Sequence, residues 1–173
     1  MQGAVVSSMQ SSVVVSLLAL CVLGAAAGQE PVVAAKDPEA LFTDADPVKH
    51  ANKQVVLHVL RELVQCNYWE QADRWTTERY LQHNPNVQSG RDNVVAYFAG
   101  LPRAEKCDKL TLPIVTVLTS GDIVGVVFRM EYDDPRNEGQ KYTSIWYDQW
   151  RVVDGRVDEH WDTATLGPMV KAQ

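Results

Sequence analysis

One stretch, from Tyr142 to Asp162, constrains the fold more than any other because it has the pattern of a long β-hairpin. Its turn is Asp154-Gly155, which lies between two runs rich in aromatic and β-branched residues. Both turn residues can adopt the positive φ angles that a type I′ turn requires. The two-residue loop predicts a ladder of facing residues that runs away from the turn: Val153 with Arg156, Arg151 with Asp158, Gln149 with His160 and Tyr147 with Asp162.

Strict alternation predicts that one face of this hairpin is polar and the other largely aromatic. The last three predicted pairs share the polar face, whereas the opposite face carries Trp150, Val152, Val157, Trp161, Asp148 and Glu159. Arg151 and Asp158 lie near the turn, where a cross-strand ion pair would be solvated. His160 and Asp162 lie where the sheet should be covered, and a buried His or Asp needs a partner or a task. A β-bulge would exchange the two faces and remove the Tyr147–Asp162 pair.

The composition is that of one ordinary globular domain. The chain has 173 residues, of which 46% are hydrophobic and 22% charged, and its formal charge is −6. The acidity and the lack of a Lys/Arg cluster predict that the protein binds neither nucleic acid nor an anionic membrane surface.

Residues 1–27 have the pattern of a secretory signal peptide. No charged side chain occurs among residues 1–29, and an apolar run at 13–23 precedes the small residues Ala25-Ala26-Ala27. That run is shorter than the ~20 residues needed to cross a bilayer. No Lys or Arg precedes it, which is a departure from the usual signal pattern. We predict a secreted or periplasmic protein without membrane association after cleavage, in which residues 28–45 form a linker, 46–166 the folded domain and 167–173 a tail.

Two cysteines, Cys66 and Cys107, remain after the predicted cleavage, which removes Cys21. In an oxidising compartment they could form a disulfide worth ~2–4 kcal/mol. Two separate buried thiols are an equal alternative, because the sequence does not give the Cα–Cα separation that decides between them.

Hydrophobic periodicity predicts helices first and strands afterwards. Asp46 is a suitable N-cap and Pro47 a suitable first residue for a helix that extends to Cys66. The remaining predicted elements are a short helix at 69–76, an extended piece at 80–83, a third helix at 92–99, and strands at 110–119 and 123–132 ahead of the hairpin. Both of those strands are almost continuously apolar, so both of their faces should be covered. Helices packed on one face of a curved antiparallel sheet make an α+β layer architecture.

Two motifs in this order resemble the SnoaL-like polyketide cyclase family, which belongs to the nuclear transport factor two-like superfamily. The first is Tyr80-Leu81-Gln82-His83-Asn84-Pro85, followed by Gly90 and a helix that ends in Tyr97-Phe98. The second is the end of the hairpin, Val153-Asp154-Gly155-Arg156-Val157-Asp158-Glu159-His160-Trp161-Asp162. The resemblance covers about residues 48–163. It implies a cone-shaped α+β fold, in which a curved antiparallel sheet packs against about three N-terminal helices around an internal pocket. The resemblance also implies a homodimer that forms through the open sheet face.

Members of that family close polyketide rings by intramolecular aldol condensation, without a metal or an organic cofactor. The resemblance implies that Asp162 is the acid/base group and that His83 lines the pocket. From the residues themselves, His160 could orient Asp162 or take the opposite proton role. Further candidates for contact with a ligand are Gln82, Tyr97, Phe98, Tyr147 and Gln149, together with Trp146 and Trp150. Each of these side chains also has a purely structural interpretation, as a turn, amide or core residue.

We therefore predict a cofactor-independent acid/base enzyme, of the aldol-condensation, cyclase or isomerase type, that acts on a small hydrophobic carbonyl compound. The alternative is a secreted module of the same fold that binds a small ligand without catalysis, because a fold does not specify an activity. No metal site is predicted, since a set made of His83, His160 and Asp162 has no ligand spacing beyond His160-x-Asp162.

Overall fold

The computed structural model describes residues 30–167. The predicted signal peptide at 1–27 and nearly all of the predicted tail at 167–173 lie outside the described residues. The helices are α1 (Pro47–His58), α2 (Ala72–Trp75) and α3 (Arg91–Phe98), and the strands are β1 (Thr76–Gln82), β2 (Ile114–Ser120), β3 (Ile123–Asp133), β4 (Lys141–Val153) and β5 (Arg156–Asp162). Helical turns of other types occur at Glu39–Phe42, Val59–Gln65 and Trp69–Gln71. No helix in this part of the chain is long and apolar enough to span a bilayer.

The first helix begins where the sequence predicts, because Asp46 caps it. One carboxylate oxygen of Asp46 accepts hydrogen bonds from the backbone N–H groups of Val48 and Lys49, at 2.8 and 3.2 Å. The helical path continues beyond α1 as the π-helical turns Val59–Gln65. Its inward side is buried in the core against the sheet through Val56, Val59, Leu60 and Leu63.

All five strands form one sheet in the order β1-β5-β4-β3-β2. Strand β1 runs parallel to β5, and the other neighbouring pairs are antiparallel. The sheet is curved and is combined with about three helices, so the predicted α+β class is confirmed. The extended piece predicted at 80–83 belongs largely to β1, and its parallel pairing with the last strand does not follow from the sequence pattern.

The segment predicted as a linker at 28–45 packs, in its described part, against the folded domain. The backbone N–H of Val32 donates to Thr143 Oγ1 at 2.7 Å, and that of Ala35 donates to the carbonyl of Ile114 at 2.8 Å. Phe42 is completely buried. A single aromatic side chain in an otherwise aperiodic stretch gives no periodic signal, so the sequence does not reveal this packing.

Cys66 and Cys107 are joined by a disulfide, with their Cα atoms 6.0 Å apart. This confirms the disulfide alternative over two separate thiols. The bond attaches the loop before β2 to the end of the π-helical turns. Gln65 strengthens the attachment, because its amide donates to the carbonyl of Lys109 at 2.9 Å and accepts from the N–H of Thr111 at 2.6 Å.

The predicted turn of the hairpin is confirmed. Asp154 and Gly155 have positive φ angles of 49° and 76°, as a type I′ turn requires. Val153 faces Arg156, which is the first predicted pair. Local turn chemistry therefore determines this end of the hairpin.

The predicted register farther from the turn is wrong, because β5 contains a β-bulge at Asp158. This residue is inserted between two ladder pairs and has no partner of its own in β4. An extra residue exchanges the faces of all residues beyond it. The predicted pairs Arg151–Asp158, Gln149–His160 and Tyr147–Asp162 are replaced by Arg151–Glu159, Gln149–Trp161, Trp150–His160 and Asp148–Asp162.

The neighbouring strand β1 explains why the bulge is stable. The side chain of Asp158, only 5% exposed, accepts hydrogen bonds from Thr77 Oγ1 at 2.7 Å and from the guanidinium of Arg79. These hydrogen bonds, above all those from Arg79, hold the pKa of Asp158 below its ordinary value. Strand β1 is itself irregular between Thr76 and Leu81, where its register against β5 shifts. One buried carboxylate thus joins two irregular strand segments.

We predict that Asp158→Ala lowers the free energy of unfolding by about 2 kcal/mol, because Thr77 and Arg79 lose their acceptor. Arg79 is 62% exposed, so water can replace part of what it loses. The matched control is Asp133→Ala, because the side chain of Asp133 is 91% exposed and pairs with Lys141 at the surface. Urea unfolding of the three proteins measures both losses, and an equal loss in the two variants would contradict the role assigned to Asp158.

Candidate active site

The bulge brings acidic and imidazole groups to the inner face of the sheet, beneath the helices. His160 and Asp162 of β5 face the same side as Trp150 and Asp148, their partners in β4. The four residues line a cavity of about 150 Å³. Its other walls come from helical segments and β1, through Val59, Val64, Trp69, Tyr80, Gln82 and Phe98.

Asp148 is a strongly perturbed carboxyl group in this cavity. Burial raises its pKa to about 7, and the negative charge of Asp162 adds to the rise. Trp146 Nε1 donates a hydrogen bond to Asp148 Oδ1 at 2.5 Å, which opposes the rise without cancelling it. Asp148 can therefore act near neutral pH as an uncharged acid, the state in which a carboxyl group donates a hydrogen bond.

His160 is held through one ring nitrogen and presents the other to the acids. Its Nδ1 lies 2.9 Å from Gln82 Oε1, so Nδ1 carries the hydrogen and donates it to the amide oxygen. Nε2 then has the free lone pair and lies 3.9 Å from Asp148 Oδ1. Burial lowers the pKa of His160 to about 4, although the charge of Asp162 acts in the opposite direction. The imidazole is therefore neutral above about pH 4, which includes the range between about 4 and about 7 in which Asp148 keeps its proton.

Asp162 lies at the end of β5 and accepts two hydrogen bonds. Asn84 Nδ2 donates to Oδ2 at 2.6 Å, and the backbone N–H of Ala164 donates to Oδ1 at 2.9 Å. Asn84 is held in place by its own turn, in which its Oδ1 accepts from the backbone N–H of Asn86 at 2.9 Å. Each carboxylate oxygen keeps a second lone pair, so Asp162 can still take a proton.

Folding moves a proton between two of these groups. With pKa values of about 7 and about 4, Asp148 and His160 are both uncharged between those limits in the folded protein. Their ordinary pKa values of 3.8 and 6.5 would leave both charged over most of that range in an unfolded chain. The cavity therefore combines an uncharged acid, a neutral imidazole with a free Nε2, and the carboxylate of Asp162.

The same three side chains could in principle hold a metal ion. One ligand atom from each of Asp148, His160 and Asp162 lies within 4.8 Å of the other two. Two carboxylates and an imidazole suit several divalent cations. A cation bound there would require Asp148 to be ionised, and the charge of the cation would favour that form against the burial of the group. Without a cation, Asp148 is an uncharged acid below about pH 7.

A larger groove adjoins the cavity. It has a volume of about 620 Å³ and shares Val64, Trp146 and Asp148 with the smaller space. Its remaining walls are formed by Leu112, Pro113, Phe128, Arg129, Met130 and Glu131. Asp148 therefore lies at the junction of two compartments.

Six of the residues predicted for the site come together in the cavity. Those that line it are Asp162, His160, Gln82, Phe98, Trp146 and Trp150. Gln82 contributes by orienting His160, since its amide oxygen accepts from Nδ1. His160 and Asp162 lie on one face, as alternation predicts, although that face is the inner one.

Four other predicted site residues do not line the cavity. Tyr147 and Gln149 alternate with the inner residues of β4 and face the opposite side, and Tyr97 is 51% exposed on α3. The ring of His83 bonds Glu159 through Nε2 at 2.8 Å and stacks on Trp161, and both of these residues face away from the helices. The structure therefore does not bring His83, Tyr147, Gln149 or Tyr97 to Asp162.

Sequence reasoning missed Asp148, because regular alternation places it on the opposite face from Asp162. One signal could have identified it, namely a carboxyl group with Trp146 and Trp150 as its second neighbours on the same face of a strand. A charged side chain among buried aromatic rings has either a partner or a shifted pKa. Asn84 was also missed, because Asn84-Pro85 predicts only the end of an extended segment.

The sequence matches one known family of domains. Residues 56–160 match the family model of a SnoaL-like domain, which is more than half of the 173-residue chain. No curated protein is significantly similar in sequence.

Several solved structures have a similar architecture but share little sequence. A candidate SnoaL-like polyketide cyclase from Jannaschia sp. CCS1 is 21% identical with a TM-score of 0.48, and the alignment covers 70% of this chain and 91% of that one. A candidate polyketide cyclase from Acidithiobacillus ferrooxidans is 17% identical with a TM-score of 0.48, over 69% and 89% of the two chains. IdmH, a candidate polyketide cyclase from Streptomyces antibioticus, is 16% identical with a TM-score of 0.45, over 65% and 91%. Such similarities concern architecture and carry no conclusion about activity.

We predict that single substitutions of Asp148 and His160 change the pH dependence of stability in opposite directions. In Asp148→Asn only the lowered pKa of His160 remains, so stability falls as the pH decreases from about 6.5 toward 4. In His160→Gln only the raised pKa of Asp148 remains, so stability falls as the pH increases from about 4 toward 7. In each variant the free energy of unfolding should change by up to about 1 kcal/mol per pH unit.

Urea unfolding between these pH limits, with the wild type subtracted at each pH, isolates the two contributions. In the wild type they cancel, because the folded and unfolded states bind the same number of protons at this pair. Neither shift has the other residue among its causes, so each variant should keep the remaining shift. The free energy of unfolding, after subtraction of the wild-type value, should change with pH in opposite directions in the two variants. A change in the same direction would contradict the assignment of protons to Asp148 and His160.

Proposed function

Because the chain belongs to the SnoaL-like domain family, we propose that it is a cofactor-independent acid/base enzyme that acts on a small hydrophobic carbonyl compound. The observation that supports this most strongly is the uncharged acid Asp148 beside Asp162 and His160 in one cavity. Pairs of titratable groups whose environments separate their pKa values are typical of acid/base sites.

In this proposal each carboxyl group has its own step. Asp162 takes a proton from the carbon next to the substrate carbonyl, and the electron pair of that C–H bond forms the C=C bond of an enol. Asp148 gives its proton to the carbonyl oxygen, so no free enolate charge develops in the apolar cavity. His160 Nε2, which is 3.9 Å from Asp148, then carries the proton from Asp162 back to Asp148.

The enol can continue in two ways. In both outcomes Asp162 takes the O–H proton of the enol, so that the first carbonyl forms again. Delivery of the Asp148 proton to a different carbon of a conjugated enol completes an isomerisation. Attack of the enol carbon on a second carbonyl forms a C–C bond and breaks the π bond of that carbonyl, and Asp148 protonates the resulting alkoxide oxygen to complete an aldol condensation. Both outcomes need the same first step, which can be measured without knowing the natural substrate.

We predict that the protein accelerates exchange of the α-protons of methyl ketones with deuterium in D₂O, followed by NMR. Asp162→Asn removes the base and Asp148→Asn the acid, so each should lower the protein-dependent rate by about 100-fold or more. The wild-type rate should fall as the pH rises through about 7, where Asp148 loses its proton. Asp148→Asn should lack that alkaline decrease.

Asp122→Asn is the matched control, because Asp122 is a carboxylate in the turn between β2 and β3 that pairs with Arg151. This variant should accelerate deuterium exchange of the ketone α-protons as much as the wild type does. Exchange no faster than in buffer for the wild type, over a panel of ketones that the protein binds, would contradict the proposal.

A non-catalytic ligand-binding module is the second candidate. The observation in its favour is that two titratable groups in the cavity, His160 and Asp162, already have protein partners: Gln82 pairs with His160, and Asn84 and Ala164 donate to Asp162. Groups with satisfied hydrogen bonds can be purely structural. Binding of ketones without deuterium exchange would favour this candidate.

We also propose that the mature protein is exported and forms a homodimer. The Cys66–Cys107 disulfide suits an oxidising compartment. On the sheet face away from the helices, Leu118 and Ile145 are 54% and 52% exposed, and a second copy could cover them. A monomer in sedimentation equilibrium, or retention of residues 1–27 in the purified native protein, would contradict the corresponding half of this proposal.

A further inference from the structure

The two adjoining compartments beneath the helices differ in size and polarity. The inner cavity of about 150 Å³ contains Asp148, His160 and Asp162, and the outer groove of about 620 Å³ meets it at Val64, Trp146 and Asp148. Sites for small-molecule ligands usually measure roughly 300–1,000 Å³. The inner cavity alone is smaller than that. A ligand of ordinary size whose reacting group lies at Asp148 therefore extends into the outer groove.

The walls of the outer groove favour an uncharged, apolar group. Its apolar surface comes from Leu112, Pro113, Phe128, Met130 and Trp146. The residues Arg129 and Glu131 also line the groove, but their oppositely charged side chains pair with each other at 2.9 Å. Arg129 Nε donates in addition to the carbonyl of Val32 at 3.0 Å. The charge of Arg129 is thus already engaged by protein acceptors.

The inner cavity favours an uncharged hydrogen-bond acceptor. The residues that line it, all in the described part of the chain, include the carboxylate of Asp162 and neither Lys nor Arg. An anionic group would meet that negative charge in a poorly hydrated space. The indole N–H of Trp69, another lining residue, is buried and has no hydrogen-bond partner among the described residues. A carbonyl oxygen is an acceptor that could satisfy such a donor.

We propose that the substrate is an uncharged ketone or ester with one extended apolar group, and that it occupies both compartments at once. Its carbonyl lies in the inner cavity against Asp148, and its apolar group crosses Trp146 and lies along the outer groove. The carbonyl assignment rests on the proposed acid/base function, whereas the apolar extension rests on the groove. Compounds with a charged group close to the carbonyl are excluded.

Equilibrium binding of two matched ligand series tests this proposal without turnover. Methyl ketones of increasing length, and carboxylates with the same number of carbons, are titrated into the protein at pH 6 by calorimetry. Each added methylene should tighten ketone binding roughly two- to fourfold until the groove is full, because apolar surface leaves water. Each carboxylate should bind at least about tenfold more weakly than its matching ketone, because its charge must be desolvated near Asp162.

One variant and one control locate the apolar group. Leu112→Gln places an amide in the wall of the outer groove, so it should remove most of the gain in affinity with chain length and leave the shortest ketones unaffected. Leu112 is only partly buried, so the substitution should leave the fold intact. Val153→Gln, at the turn end of β4 and outside both compartments, should bind the whole series as the wild type does.

Three results would overturn the proposal: an affinity that does not depend on ketone length, carboxylates that bind as tightly as the ketones, or equal losses in Leu112→Gln and Val153→Gln. The deuterium-exchange measurement is independent of these. Ketones that bind with the expected length dependence but are not deuterated would contradict the acid/base function and leave the two-compartment assignment intact. Deuterium exchange with an affinity that does not depend on ketone length would support the acid/base function and contradict the two-compartment assignment.

Discussion

The ion pair between Asp158 and Arg79 is the interaction on which the rest of the site depends. Asp158 has no partner in β4 and forms a bulge in β5. Strand β1 stabilises this bulge, because Arg79 donates hydrogen bonds to the buried carboxylate of Asp158. With Asp158 outside the ladder, His160 and Asp162 turn toward the helices and meet Asp148. In a regular strand, alternation would place both of them on the outer face of the sheet. The polar centre of the cavity therefore depends on a contact between β5 and β1 that lies outside the cavity.

Burial then determines the chemistry of the groups that the bulge brings inward. Desolvation is the largest cause of both the raised pKa of Asp148 and the lowered pKa of His160. Asp158 has the opposite behaviour, because hydrogen bonds from Arg79 favour its charged form. The same poorly hydrated environment that keeps a proton on Asp148 makes the cavity unfavourable for ions. Acid/base capacity and a preference for uncharged ligands thus have one physical origin.

Local rules in the sequence predicted the features that local chemistry controls. These are the type I′ turn at Asp154-Gly155, the cap at Asp46, the α+β class and the presence of His160 and Asp162 on one face. The bulge was beyond such rules, because it depends on a contact between residues 79 positions apart in the chain. Asp148 was missed for the same reason, since its neighbours in space follow from the shifted register. Single buried side chains such as Phe42 have no periodic pattern to reveal them.

The claim that Asp148 keeps its proton up to about pH 7 can be tested directly. A ¹³C NMR titration of the Asp side-chain carboxyl groups, with the Asp148 signal assigned by its loss in Asp148→Asn, gives the pKa of this group in the folded protein. We expect a midpoint of about 7. A midpoint near the ordinary value of 3.8 would show that Asp148 is ionised in the cavity, and would contradict the central claim.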